Sequence, residues 1–199
     1  MVDEKGQVVD GDKIMVVCAL ELMRQNKLKD NTLVTTVMSN IGLHQAVKKA
    51  GGRLEITGVG DRYVLEAMLK DGYVLGGEQS GHVIFSEHST TGDGVLTALQ
   101  FMAAVKNSGK KLSDLAGVMK QYPQLLVNVR VQSKEGWEKN EAICAAIQQG
   151  EQELGEEGRI LVRPSGTEQL IRVMAEGPEM EQLQRIVHGI ADVVKKEQG

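Results

Sequence analysis

The stretch Arg159-Ile160-Leu161-Val162-Arg163-Pro164-Ser165-Gly166-Thr167-Glu168 is an apolar run that closes in a turn rich in anion-binding chemistry. Ile160, Leu161 and Val162 read as a strand. Arg163 offers a planar guanidinium fork, Ser165 and Thr167 offer hydroxyl donors, and Gly166 lets a backbone N–H approach a ligand closely. Pro164 fixes one φ angle, so the donors are held before an anion arrives. A second apolar run, 170–175, carries Arg172 back toward the same region. The pattern is a hairpin with a phosphate-gripping tip. A tight turn with one surface arginine is the plain alternative, and for Arg172 the alternative is a strand-surface arginine.

A second stretch has the complementary chemistry: Val74-Leu75-Gly76-Gly77-Glu78-Gln79-Ser80-Gly81-His82-Val83-Ile84-Phe85. Two short β-type runs flank a loop in which glycines bracket polar side chains. An ionised carboxylate accepts hydrogen bonds from two neighbouring hydroxyls, so Glu78 suits a vicinal diol. Ser80 and His82 are placed to orient the same ring, although His82 serves equally to satisfy the loop backbone. An ordinary hairpin turn is the alternative. Taken together, the two loops read as the sugar-gripping and phosphate-gripping ends expected of one sugar-phosphate site.

Both stretches resemble the α-D-phosphohexomutase superfamily, whose second half carries a Gly-Glu-x-Ser-Gly-His sugar loop and then an Arg-Pro-Ser-Gly-Thr-Glu phosphate loop. The bacterial phosphoglucosamine mutases are the branch it resembles most. The likeness extends through Val34-Thr35-Thr36-Val37-Met38-Ser39-Asn40, Gly58-Val59-Gly60-Asp61-Arg62-Tyr63-Val64 and Thr91-Gly92-Asp93-Gly94, in the family's order. One departure is Gln169, which stands where the family commonly has proline and which loosens the turn.

The resemblance implies interconversion of glucosamine 6-phosphate and glucosamine 1-phosphate through a bisphosphate and an active-site phosphoserine. Phosphomannomutase, phosphoglucomutase, or a non-catalytic sugar-phosphate-binding module are the other readings. It implies a substrate-binding set of Glu78, Ser80, His82, Asp61 and Arg62, and a phosphate-binding set of Arg163, Ser165, Gly166, Thr167 and Arg172. For Asp61 and Arg62 a structural ion pair is the alternative, and Asp93 is read as a helix cap. The family's phosphoserine loop and its Asp-x-Asp-x-Asp-Arg loop for Mg²⁺ are not in this sequence, so no catalytic residue and no metal ligand is assigned. Asp10-Gly11-Asp12 lacks the third aspartate and the arginine, and reads as a turn plus an N-cap. The missing N-terminal half of the same enzyme is therefore the expected partner, Mg²⁺ is a cofactor of the full-length enzyme only, and these residues alone are expected to be inactive. Met1 is expected to be an internal or artificial boundary. The resemblance leaves room for a homodimer.

Composition bounds the remaining classes. Across 199 residues, 41% are hydrophobic, enough for real cores, and the formal charge of -4 argues against a nucleic-acid surface, which needs a basic stripe. No apolar run reaches membrane-spanning length and no signal peptide is visible, so a cytoplasmic location is expected. Cys18 and Cys144 lie far apart in helix-like segments and read as free buried thiols in a reducing compartment. His44, His82, His88 and His188 show no metal-ligand spacing.

Hydrophobic periodicity then gives the fold class: an α/β domain with a mixed, largely parallel sheet and flanking helices (1–121), followed by a smaller α+β phosphate-binding domain (124–199). The division falls at Tyr122-Pro123. In the first domain helices are expected at 13–25, 61–70, 93–105 and 112–120, with a further helix capped by Ser39 or Asn40 and ending before Gly51-Gly52. Strands are expected at 33–38, 54–57 and 73–76, and the hairpin through Gly81 adds a returning strand. Val95, Leu96, Leu99, Met102 and Ala103 are read as a core stripe. In the second domain a strand at 125–131 and a helix at 134–149 precede the phosphate hairpin. A last helix, 179–195, is expected to bury Met180, Leu183, Ile186, Val187, Ile190, Val193 and Val194.

Overall fold

β-Branched and leucine-rich segments of the first half pair into a four-stranded sheet of order β2-β1-β3-β4. The strands are β1 (Thr32–Thr36), β2 (Arg53–Thr57), β3 (Leu75–Gly77) and β4 (Val83–Phe85). β1 runs parallel to β2 and to β3, and β4 returns antiparallel to β3 across the Gly81 hairpin. Every residue of β1 is buried, as a central parallel strand requires. The computed structural model describes residues 1–199, which form two compact units, Met1–Gln121 and Tyr122–Gly199.

In the first unit, helices cover both faces of the sheet. Leu33, Leu75, Val83 and Phe85 pack into one core with α1 (Gly11–Arg24), α2 (Ile41–Lys49), α4 (Gly94–Ser108) and α5 (Leu112–Ala116). Val34 and Ile84, one residue out of phase, meet Val64 and Met68 of α3 (Asp61–Asp71) on the opposite face. The period-two alternation of a strand produces this split. Asn40 caps α2 by accepting the Gly42 N–H at 3.0 Å, and Asp93 caps α4, its carboxylate accepting from Val95 and Leu96.

Several expectations need correction here. α1 begins at Gly11, because the Asp10 carboxylate accepts the Lys13 N–H at 3.0 Å, so Asp12 lies inside the helix and is fully buried rather than in a turn. On α4, Val95 (72% exposed), Leu99 (57%) and Met102 (53%) face outward. Thr97, Phe101 and Ala104 are buried instead, with Leu96 packed against the core. The helix is apolar around most of its circumference, so hydrophobic spacing did not fix which stripe faces in. α5 stops at Ala116, ahead of Gly117, and does not reach Lys120. Cys18 is buried, and burial followed by the neighbouring Glu21 carboxylate pushes its thiol up to about 12.

The second unit is an antiparallel sheet of order β5-β7-β6: β5 (Gln124–Arg130), β6 (Arg159–Pro164) and β7 (Leu170–Glu176). Val127, Val129, Val162, Ile171, Val173 and Ala175 share a core with α6 (Glu141–Leu154) and α7 (Met180–Gln198), so both helices lie on one sheet face. The helix expected at 134–149 starts later. Gly136 adopts φ +78°, a single 3-10 turn covers Trp137–Lys139, and Asn140 caps α6 through the Ala142 and Ile143 N–H groups. Cys144 is exposed on α6, not buried. On α7, Met180 is likewise exposed, while Leu183, Ile186, Val187, Ile190, Ala191 and Val194 form the buried stripe.

Gly42 allows α2 to press against the backbone near the end of the first unit: a Cβ there would lie 1.8 Å from the Lys120 carbonyl oxygen. Gly42→Ala is therefore expected to destabilise the chain by about 3 kcal/mol or more, read as a lowered urea midpoint. An unchanged midpoint would show that this close approach is not maintained in solution.

Candidate functional site

The three parallel strands end at the same edge of the first sheet, and their outgoing loops are 37–40 after β1, 58–60 after β2 and 78–82 after β3. In open α/β sheets, ligands bind at this carboxyl edge. The loop after β3 is closed by the Glu78 N–H, which donates to the His82 carbonyl at 2.9 Å, and the Gly81 N–H, which donates to the Glu78 carbonyl at 2.9 Å. The Glu78 side chain reaches sideways, and its Oε1 accepts the Gly60 N–H at 3.0 Å. One carboxylate thus joins the loops after β2 and β3. Ser80 and His82 are both exposed, with Ser80 Oγ 3.3 Å from His82 Nδ1.

Asp61 and Arg62 open α3 directly after the Gly60 loop and are exposed. Arg62 pairs with Glu66 one turn along, at 2.8 Å, so the Asp61–Arg62 ion pair considered from the sequence does not form. The geometry favours the i,i+4 partner on the same helix face. A shallow cleft of about 230 Å³ is lined by Asp61, Arg62, Leu65, Ile84, Thr90 and Thr91. It brings the Gly60 loop and the Thr91 loop to one place. A Cβ on Gly92 would sit 3.6 Å from the His82 side chain, so that loop also flanks the 78–82 loop.

In the second unit, strand register builds the other group. Arg163 of β6 lies opposite Arg172 of β7, which in turn lies opposite Asn128 of β5. The neighbouring pair Val162 and Val173 faces the helices, so both arginines occupy the other face of the sheet, near the hairpin tip. Like charges directly opposite repel. Partial burial, and then the positive charge of Arg172, hold the Arg163 guanidinium below its ordinary value. Arg172 is only weakly neutralised: its nearest carboxylate, Glu168, and the Ser165 hydroxyl each lie at 3.5 Å, and its buried Nε has no partner.

Ser165 is 2% exposed. Its N–H donates to the Leu170 carbonyl at 2.9 Å, and its Oγ accepts the Glu168 N–H at 3.2 Å. The hydroxyl thereby staples the loop from within, while Gly166 and Thr167 are exposed at the tip. A Cβ on Gly166 would meet nothing within 4 Å, so the backbone there stands open. Lys134, which sequence reading overlooked, donates its Nζ to the Ser165 carbonyl at 2.8 Å and adds a third cation. Nothing in the spacing of Ser133-Lys134-Glu135 links it to a loop 31 residues away. Gln169 anchors the outgoing side, its Nε2 donating to the Gln132 carbonyl at 3.0 Å. That bond supplies some of the restraint a proline would have given.

Residues 10–122 match the family described as Phosphoglucomutase/phosphomannomutase, alpha/beta/alpha domain III, and residues 126–193 match its C-terminal domain. The chain belongs to the phosphoglucomutase/phosphomannomutase family. It is 57% identical over 195 residues to the phosphoglucosamine mutase of Heliobacterium modesticaldum, covering 98% of this chain and 42% of that protein. It is 54% identical over 198 residues to that of Bacillus subtilis, covering 100% of this chain and 44% of the relative. The chain therefore spans less than half the length of the curated relatives it matches. Among solved structures, Aspergillus fumigatus N-acetylphosphoglucosamine mutase superposes with a TM-score of 0.83 at 21% identity, over 98% of this chain and 45% of that one. The same enzyme in complex with GlcNAc-6P and magnesium gives 0.82 at 20% identity, over 100% and 46%. At such identity the likeness establishes the fold. No helix of this family member is long and apolar enough to cross a membrane.

The buried carboxylate of Asp12 is the other residue that sequence reading underrated. Desolvation raises its pKa to about 6, against the lowering effect of hydrogen bonds from the Asn40 backbone and the Ser39 and Gln79 side chains; nearby Asp10 raises it further. In the unfolded chain the group titrates near 3.8. The folded protein holds the extra proton between these values, so this contribution to stability falls as pH rises through about 4 to 6. By neutrality the loss is on the order of 3 kcal/mol. Asp12→Asn, which has no proton to lose, is expected to gain melting temperature relative to the parent as pH rises from 4 to 7, by several degrees. A difference independent of pH would contradict the desolvated carboxylate.

Proposed function

We propose that this chain is the sugar- and distal-phosphate-binding half of a phosphoglucosamine mutase, an intramolecular phosphotransferase interconverting glucosamine 6-phosphate and glucosamine 1-phosphate. The observation that carries the proposal is the register-enforced pair Arg163 and Arg172, beside an exposed Gly166-Thr167 tip. Two guanidiniums side by side, with Glu168 only distantly engaged and Lys134 nearby, suit a phosphate dianion. Binding there relieves the repulsion between them.

The chemistry explains why such a grip has no general base. A hexose mutase that works through a bisphosphate must hold one phosphoryl group while the other reacts, and then accept the reoriented intermediate. The non-reacting group needs charge neutralisation and a fixed position only. Arg163, Arg172, the Gly166 backbone and Thr167 supply these, with Ser165 and Lys134 holding the loop in shape. At the sugar end, Glu78 accepts hydroxyl or ammonium donors, with Ser80 and His82 beside it and Asp61 and Arg62 at the flanking cleft. The identities above 50% to phosphoglucosamine mutases favour an amino sugar over mannose or glucose phosphates.

The phosphoserine and Mg²⁺ belong, in this proposal, to the part of the relatives' length that the chain does not span, and that part is the chain's functional partner. No group of three or more His, Cys, Asp or Glu side chains converges in a metal-binding arrangement in these residues. Bound in the whole enzyme, Mg²⁺ would supply charge stabilisation at the transferring phosphoryl group. A cytoplasmic location fits this reading.

Calorimetric titration tests the assignment. Glucosamine 6-phosphate is expected to bind the chain, and Arg163→Ala to weaken binding by roughly 10- to 100-fold, the effect of losing a charge-assisted contact. The chain alone is expected to show no turnover with Mg²⁺ and glucose 1,6-bisphosphate. Unaltered affinity in the variant, or measurable turnover by the parent, would contradict the assignment.

A further inference from the structure

One buried carboxylate touches two of the three loops at the carboxyl edge of the first sheet. Asp12 Oδ2 accepts the Asn40 N–H at 2.8 Å, in the loop after β1, and the Gln79 Nε2 at 3.2 Å, in the loop after β3. One residue earlier, the Gly11 N–H donates to the Gln79 carbonyl at 3.2 Å. A Cβ on Gly11 would lie 2.5 and 2.6 Å from the Glu78 and Gln79 carbonyl oxygens, so the start of α1 is flush against the sugar loop. Glu78 then bonds the Gly60 N–H in the loop after β2. Asn40, Asp12, Gln79, Glu78 and Gly60 thus form a connected path across all three loops.

Asp12 is fully buried, so it does not meet a ligand. Its charge is nevertheless poorly suited to a core position, where an apolar side chain would avoid the desolvation penalty. What the carboxylate supplies that an apolar group does not is a strong acceptor facing two loops at once. We infer that Asp12 is a positioning residue: it anchors the Gln79 side chain to the loop after β1 and so fixes the direction in which Glu78 presents its carboxylate to the sugar. The inference rests on Glu78 as the sugar-gripping group and adds the device that aims it.

The test separates the two ideas. Amide hydrogen exchange is measured on the full chain as parent, Asp12→Ala, Asp12→Asn and Gln79→Met, and each protein is titrated with glucosamine 6-phosphate and with inorganic phosphate. Asp12→Ala and Gln79→Met are each expected to speed exchange at the Glu78 and Gly81 amides roughly tenfold, while β7 amides stay at parent rates. Asp12→Asn, which keeps one acceptor oxygen, is expected to fall between. Affinity for glucosamine 6-phosphate is expected to drop with the same ranking, and affinity for inorganic phosphate to stay unchanged.

Gln79→Met alters a partly exposed loop side chain, so it remains informative if Asp12→Ala does not fold. Parent-like exchange at Glu78 and Gly81 in Gln79→Met overturns the clamp. Faster exchange spread evenly through β1 and β3 overturns it too, since that marks general destabilisation. A Glu78→Ala control that leaves glucosamine 6-phosphate affinity unchanged would defeat the sugar-grip reading instead, while the exchange data still decide the clamp.

Discussion

Strand register is the constraint on which the second unit depends. Pairing Val162 with Val173 sends both side chains into the core against α6 and α7, and the same pairing sets Arg163 opposite Arg172 on the other face. A slip of one residue would exchange the faces, exposing the valines and burying the guanidiniums. The hydrophobic requirement of the core therefore enforces an electrostatic arrangement that is unfavourable by itself. Arg163 is held below its usual pKa, and Arg172 retains a buried Nε without a partner. An anion placed between the two guanidiniums would relieve that repulsion.

The first unit follows a parallel logic with a different interaction. Parallel pairing of β1 with β2 and β3 delivers three loops to one edge, and the buried Asp12 carboxylate joins two of them. Gly11 and Gly76 permit the close approach this needs: a Cβ on Gly76 would lie 2.7 Å from Met68 Sδ and 2.8 Å from Val64 Cγ1. In both units a stability cost accompanies the site, repulsion between arginines in one and a desolvated carboxylate in the other.

Much of this was legible in the sequence because local chemistry decides it. Asp93 is a cap by residue type and position, the pair Ser39-Asn40 holds another, β1 is a strand by its β-branched content, and the β6–β7 hairpin follows from two apolar runs around Pro-Ser-Gly. What escaped depends on partners distant in sequence. Lys134 reaches Ser165 across 31 residues, and Asp12 reaches Gln79 across 67. Ser165 carries a hydroxyl able to donate a hydrogen bond to phosphate, yet burial turns it inward to hold the loop. The outward stripe of α4 was illegible for another reason: an apolar helix offers two plausible inner faces, and only packing selects one.

The most direct measurement is a chemical-shift map of the isotope-labelled chain titrated with glucosamine 6-phosphate. Saturable perturbation of the backbone amides of Arg163 and of residues 165–168 is expected. Perturbation confined to other surfaces, with the 163–168 hairpin tip unmoved, would contradict the account.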